Sequence, residues 1–276
     1  MVKGRILEGV VCAFLVLSSS QIMAIRTFDD GESHSIRSPI SDSYVVVSAD
    51  GVEQTSVYLY EGGEIDYLRV NDLCTVTIND SEGIGGNINQ GLELWDYSNG
   101  YFWKGGHVSG QVLMQGDSRC YLRDSIFDLN GLSLYENSMF EIQAGSGTLE
   151  TSDFFLNDHS SATILGGSVS SNVFTLDDYS RMDVLGGNIT GSFTANGSSF
   201  LIFDGGGFKL DGQSLPGGDY KSLGTGRLTG VLRDGSLLDV QISIIDEAWL
   251  RIDETIVPEP ATLVLMFFGA MLIRKK

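Results

Sequence analysis

Two neighbouring stretches of the chain are close copies of each other: FLNDHSSATILGGSV at residues 155–169 and TLDDYSRMDVLGGNI at residues 175–189. They superpose without a gap at a shift of 20 residues. Each copy places a polar turn with a serine between two short apolar segments and then reaches a Gly-Gly pair. Self-similarity at a fixed period of this length indicates a repeat protein, in which each repeat stacks on the one before it.

The serine of the turn aligns six repeats, with spacings of 20, 20, 22, 20 and 18 residues. The aligned serines are Ser98, Ser118, Ser138, Ser160, Ser180 and Ser198. Four positions earlier stand Leu94, Met114, Leu134, Leu156 and Leu176, and six positions earlier stand Leu92, Val112, Leu132, Phe154 and Phe174. In the last repeat these two columns break, at Thr194 and Ser192. Two further apolar columns follow the serine and end at Phe200 and Ile202.

Apolar residues at every second position on both sides of a polar turn indicate two short β-strands per repeat. Gly-Gly pairs then turn the chain again, and a third apolar contact follows at Val108, Val169, Ile189 and Phe208. We therefore predict an all-β fold, a single-stranded parallel β-helix of about seven to nine coils with ~20 residues each. A β-sandwich is the alternative, but it would not need a constant frame.

The predicted β-helix covers residues 44–210, and residues 25–43 form a polar N-terminal segment before it. Gly-Gly pairs at residues 62–63 and 85–86 indicate two early coils, the second with an insertion at residues 79–84. From Asp211 onward the sequence no longer follows the 20-residue repeat. Residues 211–256 are therefore predicted to form a C-terminal β cap, since the open end of a solenoid must be covered.

The N-terminus has the layout of a secretory signal peptide. Lys3 and Arg5 precede an apolar run from Val10 to Leu17, and a small residue follows at Ala24. We predict that signal peptidase removes residues 1–24 on export. A membrane anchor is the alternative, but the apolar run is well short of the ~20 residues that a span requires.

The C-terminus combines a short motif, an apolar stretch at residues 261–273 and a basic end. The motif residues are Val257, Pro258, Glu259, Pro260, Arg274, Lys275 and Lys276. This tail closely resembles the PEP-CTERM sorting signal of exported bacterial proteins, which is also described as the C-terminal domain of certain ice-binding proteins. The resemblance covers residues 257–276 alone.

The resemblance implies processing by an exosortase in a Gram-negative bacterium. It also implies a hydrophobic transmembrane helix at residues 261–273, transient insertion in the inner membrane, and a final location at the cell surface or outside the cell. Thirteen apolar residues are few for a stable span. A stretch of this length predicts a weak membrane anchor that can later be removed.

The chain is strongly acidic, with 36 Asp and Glu residues, 17 Lys and Arg residues and a net charge of −19. Without the two predicted signals, residues 25–256 contain 34 acidic and 12 basic residues, a net charge near −22. Such a surface repels phosphate backbones and anionic headgroups, which excludes nucleic acid as a partner.

Acidic residues recur at the turns, and Asp158 and Asp178 stand at equivalent positions of the two quoted repeats. A stacked carboxylate ladder could bind calcium, or supply the paired acids of a polysaccharide lyase or hydrolase. Tight turns also require Asp and Asn for their backbone conformation, and we favour that interpretation. No other cofactor or metal site is predicted, because the three histidines share no metal-binding spacing.

One patch has the chemistry of a carbohydrate-binding surface. It combines the aromatic residues Tyr101, Trp103 and Tyr121 with the basic residues Lys104, Arg119 and Arg123. Aromatic residues that merely cover the sheet are the alternative interpretation. No catalytic residue is predicted, since no nucleophile elbow or metalloprotease motif occurs.

The mature chain would retain Cys74 and Cys120. In the repeat frame they lie two coils apart, ~9.6 Å along the axis, which exceeds the ~7 Å limit for a disulfide. We predict two free, buried thiols.

These features lead to three functional hypotheses. The first is an exported, non-enzymatic structural protein of the cell surface or biofilm matrix, in contact with extracellular polysaccharide. The second is a β-helix polysaccharide lyase or glycoside hydrolase. The third is ice binding, which requires Thr-x-Thr arrays, whereas the chain offers only residues 75–77.

Overall fold

The computed structural model describes residues 24–47, 54–79 and 85–255, with the backbone alone at residues 24, 25, 41–44 and 46. Residues 1–23 of the predicted signal peptide, residues 80–84 of the predicted insertion and the sorting signal with its helix lie outside these ranges. The described residues form 23 β-strands and no helix.

The first half of the strands covers the N-terminal coils. These strands are β1 (Ala24–Phe28), β2 (Ser33–Ile36), β3 (Pro39–Val47), β4 (Ser56–Leu59), β5 (Glu64–Val70), β6 (Thr75–Ile78), β7 (Asn87–Leu94), β8 (Asn99–Trp103), β9 (His107–Met114), β10 (Arg119–Arg123), β11 (Ile126–Leu134) and β12 (Met139–Ile142). The later strands are β13 (Thr148–Leu156), β14 (Ser161–Ile164), β15 (Ser168–Leu176), β16 (Arg181–Val184), β17 (Asn188–Ala195), β18 (Phe200–Leu210), β19 (Gln213–Ser214), β20 (Gly218–Lys221), β21 (Gly224–Leu232), β22 (Leu237–Ile244) and β23 (Trp249–Glu254).

The strands stack in two parallel ladders, as a parallel β-helix requires. The first ladder joins β1, β3, β5, β7, β9, β11, β13, β15, β17 and β22. The second ladder joins β2, β4, β6, β8, β10, β12, β14, β16, β18 and β23. The predicted all-β parallel solenoid is confirmed, with about eight turns.

The predicted apolar columns lie inside the solenoid. Leu134 pairs with Leu156, and Leu156 pairs with Leu176, so equivalent side chains lie directly above one another. All three are fully buried. Identical positions stack because every turn of the solenoid must present the same face of the chain to one continuous core.

A row of phenylalanine rings runs along this core. Seven successive ring contacts, with centroid distances between 4.3 and 6.4 Å, join neighbouring members of the row. The eight members are Phe102, Phe127, Phe140, Phe154, Phe174, Phe193, Phe203 and Phe208. Aromatic pairs at these distances add to the stabilisation that burial alone provides.

The alignment of the last repeat was wrong by one residue. Ser199, not Ser198, takes the place of the turn serine, because Phe200 pairs with Arg181 and Ser199 closes the turn onto Asn196. The two apolar columns therefore do not break.

The columns of the last repeat continue one residue later than predicted. The continuing residues are Phe193, Ala195, Leu201 and Phe203, all buried. The cause is a shortened corner: Gly191 alone replaces the two residues that lie between Ser170 and Val173 in the previous coil. Its φ of +134° is one that side-chain-bearing residues rarely adopt.

Both ends of the solenoid extend beyond the predicted limits. At the N-terminal end, β1 pairs with β3 and β2 with β4, so strands lie within the segment predicted to precede the β-helix. At the C-terminal end the frame returns after Asp211, because β22 and β23 stack in register on β17 and β18. Antiparallel strands β21 and β20 then cover the edges of β22 and β23, which protects them from further pairing.

Both predicted thiols are free and buried, which confirms the prediction. Cys120 pairs with Gly100 and Gly100 with Val76, so Cys120 is two rungs away from the strand that follows Cys74. Burial raises the pKa of both thiols, and most strongly that of Cys120.

The turn serines form a column of buried hydroxyl groups. Ser138 is fully buried, and its Oγ has no hydrogen-bond partner among the described residues. Ser160 is equally buried, but its Oγ accepts a hydrogen bond from the Asn157 N–H at 3.0 Å. In the last coil Ala248 takes the same place, since Trp249 pairs with Phe200.

Ser138→Ala is therefore expected to leave the free energy of unfolding unchanged or to raise it by up to about 1 kcal/mol, because it removes an unpaired buried hydroxyl. Ser160→Ala, the matched control, is expected to lower it by about 1 kcal/mol, because a hydrogen bond is lost. Urea unfolding of both variants measures the difference. A clear loss of stability in Ser138→Ala would contradict the conclusion that the Ser138 hydroxyl is buried without a hydrogen-bond partner.

Candidate functional site

The predicted aromatic and basic patch is assembled by two neighbouring strands of the second ladder. Strand β8 pairs with β10 in register, so that Tyr101 lies beside Tyr121 and Trp103 beside Arg123. Arg119 lies at the other end of β10 and pairs with Asn99. Side chains alternate along a strand, and the intervening residues of both strands face the core. Tyr101, Trp103, Tyr121, Arg119 and Arg123 therefore lie on one outer face, and Lys104 follows at the corner after β8.

The aromatic rings of the patch contact one another. The rings of Tyr101 and Tyr121 stack with a centroid distance of 5.3 Å and an interplanar angle of 5°. The indole of Trp103 contacts Tyr101 edge-on, at 5.6 Å and 61°. Trp103 is 38% exposed. The phenol hydroxyls of both tyrosines have no hydrogen-bond partner among the described residues.

A pocket of about 320 Å³ opens beside these rings. It is lined by Asn79, Trp103, Lys104, Arg123 and Asp124. Asn79 and Asp124 were not predicted as site residues, because each lies at the end of a different coil. A signal for Asn79 was present in the repeat, since Asn79, Trp103 and Arg123 occupy one column on three successive rungs.

The patch carries more positive than negative charge. Arg119 forms no ion pair with any described residue, and Arg123 lies 3.8 Å from Asp124. The backbone N–H and the hydroxyl of Ser146 donate to Asp124 at 2.6 and 2.9 Å, which holds the pKa of that carboxyl below its ordinary value. One fixed carboxylate thus faces two cations, Arg123 and Lys104, and the site favours an anionic ligand.

The corner that forms the pocket has an unfavourable backbone at Lys104. Lys104 has a φ of 49° and Asp124, on the next rung, a φ of 55°. Asp tolerates this left-handed conformation, but for lysine it costs about 1–2 kcal/mol. Strain at a residue that lines a pocket supports a functional role for its side chain.

Lys104→Gly is expected to raise the free energy of unfolding by about 1 kcal/mol, because glycine adopts this conformation without steric cost. The same substitution is expected to weaken binding of an anionic oligosaccharide, because one cation is lost. Thermal unfolding and calorimetric titration measure the two effects. The control Lys104→Arg keeps both the charge and the left-handed backbone, so it should change neither the stability nor the binding. A Lys104→Gly variant that is less stable than the wild type would show that the backbone of Lys104 is not strained.

The turn carboxylates form a separate edge of the solenoid. Asp158 and Asp178 lie on neighbouring rungs with φ values of 58° and 56°. Gly116 and Gly197 have the equivalent place in other coils, also with positive φ. The backbone conformation thus accounts for the residue types at this position, as the turn interpretation predicts.

The described residues include no group of three or more His, Cys, Asp or Glu residues that could hold a metal ion. The Thr-x-Thr motif of β6 does not continue onto the next rung, where Thr75 and Thr77 pair with Asn99 and Tyr101. The described ranges also contain no helix of the length and apolarity that a bilayer crossing requires. The sorting-motif residues lie outside these ranges.

A second aromatic pair lies on the same outer face, near the C-terminal end. Phe200 and Trp249 stack with a centroid distance of 6.2 Å and an interplanar angle of 6°, and Lys221 lies 5.6 Å from the Trp249 ring. Phe200 was predicted to lie in the core, because the repeat alignment was shifted by one residue there. Comparison with known proteins offers no further guide to these surfaces: no family model, curated protein or solved structure matches the chain.

Proposed function

We propose that this protein is an exported, non-enzymatic structural protein of the bacterial cell surface or extracellular matrix that binds extracellular polysaccharide. The observation that carries the proposal is the patch on β8 and β10. There, the stacked rings of Tyr101 and Tyr121 lie on one outer face with Trp103, and Trp103 lines a pocket together with Lys104 and Arg123. Sugars are held by apolar contact with aromatic rings together with a few well-placed polar groups.

The solenoid fits a structural role. A parallel β-helix is a rigid rod whose outer face repeats at every rung, so it can present many weak contacts to a polymer. The strong acidity of the rest of the surface keeps copies of the rod apart and soluble. These properties suit a protein that works at high local concentration in a hydrated matrix.

The sorting part of the proposal rests on the C-terminal tail. Its resemblance to the PEP-CTERM signal supports export, transient anchoring and processing by an exosortase. Expression in a Gram-negative host with and without an exosortase tests this part. We expect removal of the tail only with the enzyme present, and no removal in a Pro258→Ala, Glu259→Ala, Pro260→Ala variant. Equal removal of the tail with the exosortase, without it and in the motif variant would refute the sorting part of the proposal.

Binding tests the polysaccharide part. The purified protein is titrated with polygalacturonate, alginate and neutral dextran, next to a Trp103→Ala, Tyr121→Ala double variant. We expect at least a tenfold loss of affinity for the acidic polymers in the variant. Tyr179→Ala is the matched control, because Tyr179 is 62% exposed but lies on the turn edge. Absence of binding by the wild type would refute the proposal.

The same incubations distinguish a binding protein from an enzyme. A lyase or hydrolase would release unsaturated or reducing sugar ends from the polymer. We expect no release above that of the buffer. Release that disappears in Asp158→Asn or Asp178→Asn would overturn the non-enzymatic assignment and place catalysis on the turn edge.

A further inference from the structure

One line of outward side chains runs along the whole second ladder. Successive residues of this line pair in register on neighbouring strands. The members of this outer line are Ser33, Ser56, Thr75, Asn99, Arg119, Met139, Ser161, Arg181, Phe200, Trp249 and Lys221. Each is at least partly exposed. None is a carboxylate, although residues 25–256 contain 34 acidic residues.

The outer line passes beside the Tyr101–Tyr121 pair and contains the Phe200–Trp249 pair. Arg119 stands beside Tyr121 on β10, whereas Phe200 and Trp249 are members of the line on β18 and β23. Three strands, β12, β14 and β16, separate β10 from β18. At the spacing of hydrogen-bonded strands, the two aromatic pairs are ~19 Å apart along the axis.

Two of the three members between the pairs are uncharged, Met139 and Ser161. The third, Arg181, donates two hydrogen bonds to Asp183, at 2.8 and 2.9 Å. Arg119, at the other end of this stretch, forms no ion pair with a described residue, whereas Arg123, four residues further along β10, lies 3.8 Å from Asp124. The Phe200–Trp249 end offers aromatic surface instead.

We propose that the outer line binds one linear anionic polysaccharide along the axis of the solenoid, with one sugar at each rung. The proposal rests on the polysaccharide-binding function proposed above and extends it from one patch to a track. The repeat of an extended pyranose chain is close to the distance between neighbouring rungs, so successive sugars meet successive members of the line. An acidic sugar places its carboxylate at Arg119, and Phe200 and Trp249 pack against the far end of the chain.

The occupant is a polysaccharide and not a nucleic acid for an electrostatic reason. A nucleic acid carries a dense row of phosphates, which the surrounding acidic surface would repel. A uronate chain carries fewer charges per unit length, and the carboxylate-free line gives it a path between acidic flanks. The flat ladder also offers an extended polymer a continuous contact that a compact ligand would not use.

If one polysaccharide chain contacts both aromatic pairs, its affinity for the protein should depend on its length. A short oligosaccharide reaches one aromatic pair only. A chain that covers the six rungs from β10 to β23 engages both, and the second contact then forms at high effective concentration. Affinity should therefore rise steeply between a tetrasaccharide and an octasaccharide.

Calorimetric titration with oligogalacturonates of four and eight sugars tests the track in the full-length protein. For the wild type we expect at least tenfold tighter binding of the longer ligand. In Trp249→Ala this gain should vanish while the tetrasaccharide still binds at the patch on β8 and β10, and Trp249→Phe should restore much of the gain. Tyr179→Ala is the control, and urea unfolding confirms that each variant is folded.

The outcomes separate the track from the patch. If Trp249→Ala keeps the length dependence while Tyr121→Ala loses binding, the track is wrong and the patch remains. If cello-oligosaccharides of the same lengths bind equally well, the anionic class is wrong. If the wild type binds neither oligogalacturonate, both the track and the proposed function are overturned.

Discussion

Replacement of Phe154 by alanine is expected to lower the free energy of unfolding by about 3–5 kcal/mol, the range observed for large aromatic truncations in protein cores. The Phe154 ring is fully buried in the middle of the phenylalanine row. It contacts Phe140 edge-on at 5.8 Å and Phe174 at 5.8 Å. The substitution thus removes two ring contacts and leaves a cavity that stacked rungs on both sides cannot close.

Phe155→Ala is the matched control, because it removes the same side chain one position later on the opposite side of the strand. Phe155 is only partly buried and contacts Tyr135 at 5.9 Å on the outer face. We expect a loss below about 1.5 kcal/mol. Urea unfolding, followed by circular dichroism, measures both variants. Equal losses would show that the stacked interior does not dominate stability.

Replacement of Gly191 by alanine is expected to destabilise the protein by about 3 kcal/mol, through backbone strain and not through a lost contact. The φ of Gly191 is +134°, and a Cβ built there would lie 2.0 Å from the carbonyl oxygen of Ser171. Real Cβ atoms do not come this close to a backbone oxygen. The first ladder would therefore have to shift between β15 and β17.

Gly131→Ala provides the control at an equivalent corner of an earlier coil. Gly131 also lies at a register shift of the first ladder, but a Cβ there would meet no atom within 4 Å. We expect this substitution to be neutral or to stabilise the protein by up to about 1 kcal/mol, because it reduces the freedom of the unfolded chain. Similar midpoints of thermal unfolding for the two alanine variants would contradict the proposed role of Gly191.

Much of the fold could be predicted because a solenoid repeats its core. Each rung must bury the same positions, so Leu134, Leu156 and Leu176 stand at the same distance from a turn serine. The free thiols followed from the same frame, which placed Cys74 and Cys120 too far apart to join. Local sequence carries this information because neighbouring rungs are also neighbours in the chain.

Predictions failed where the chain departs from its own period. At Gly191 the coil is one residue shorter, and a shift of one residue exchanges the inner and outer faces of a strand. Phe200 was for this reason assigned to the core, and the outer pair with Trp249 was missed. A frame that restored both broken columns, with Phe193 and Ala195, would have revealed the shift.

The candidate site was predicted in part. The register of equal-length coils placed Tyr101 beside Tyr121 on one face. The pocket was not predicted: Asn79 shares a column with Trp103 and Arg123 and could have been found, but the corner conformations of Lys104 and Asp124 could not. Corners lie outside the strand periodicity, so no pattern of apolar residues reports on them.

The periodic apolar positions were sufficient to predict that this chain stacks rungs of about 20 residues around an aliphatic and aromatic core. The structure was needed to show that strands before residue 44 join the solenoid, that the repeat returns after Asp211, and which outer residues form one line. Burial acts on every rung and therefore leaves a periodic pattern in the sequence. Outer neighbours are set by register and corner length, which a single residue can change.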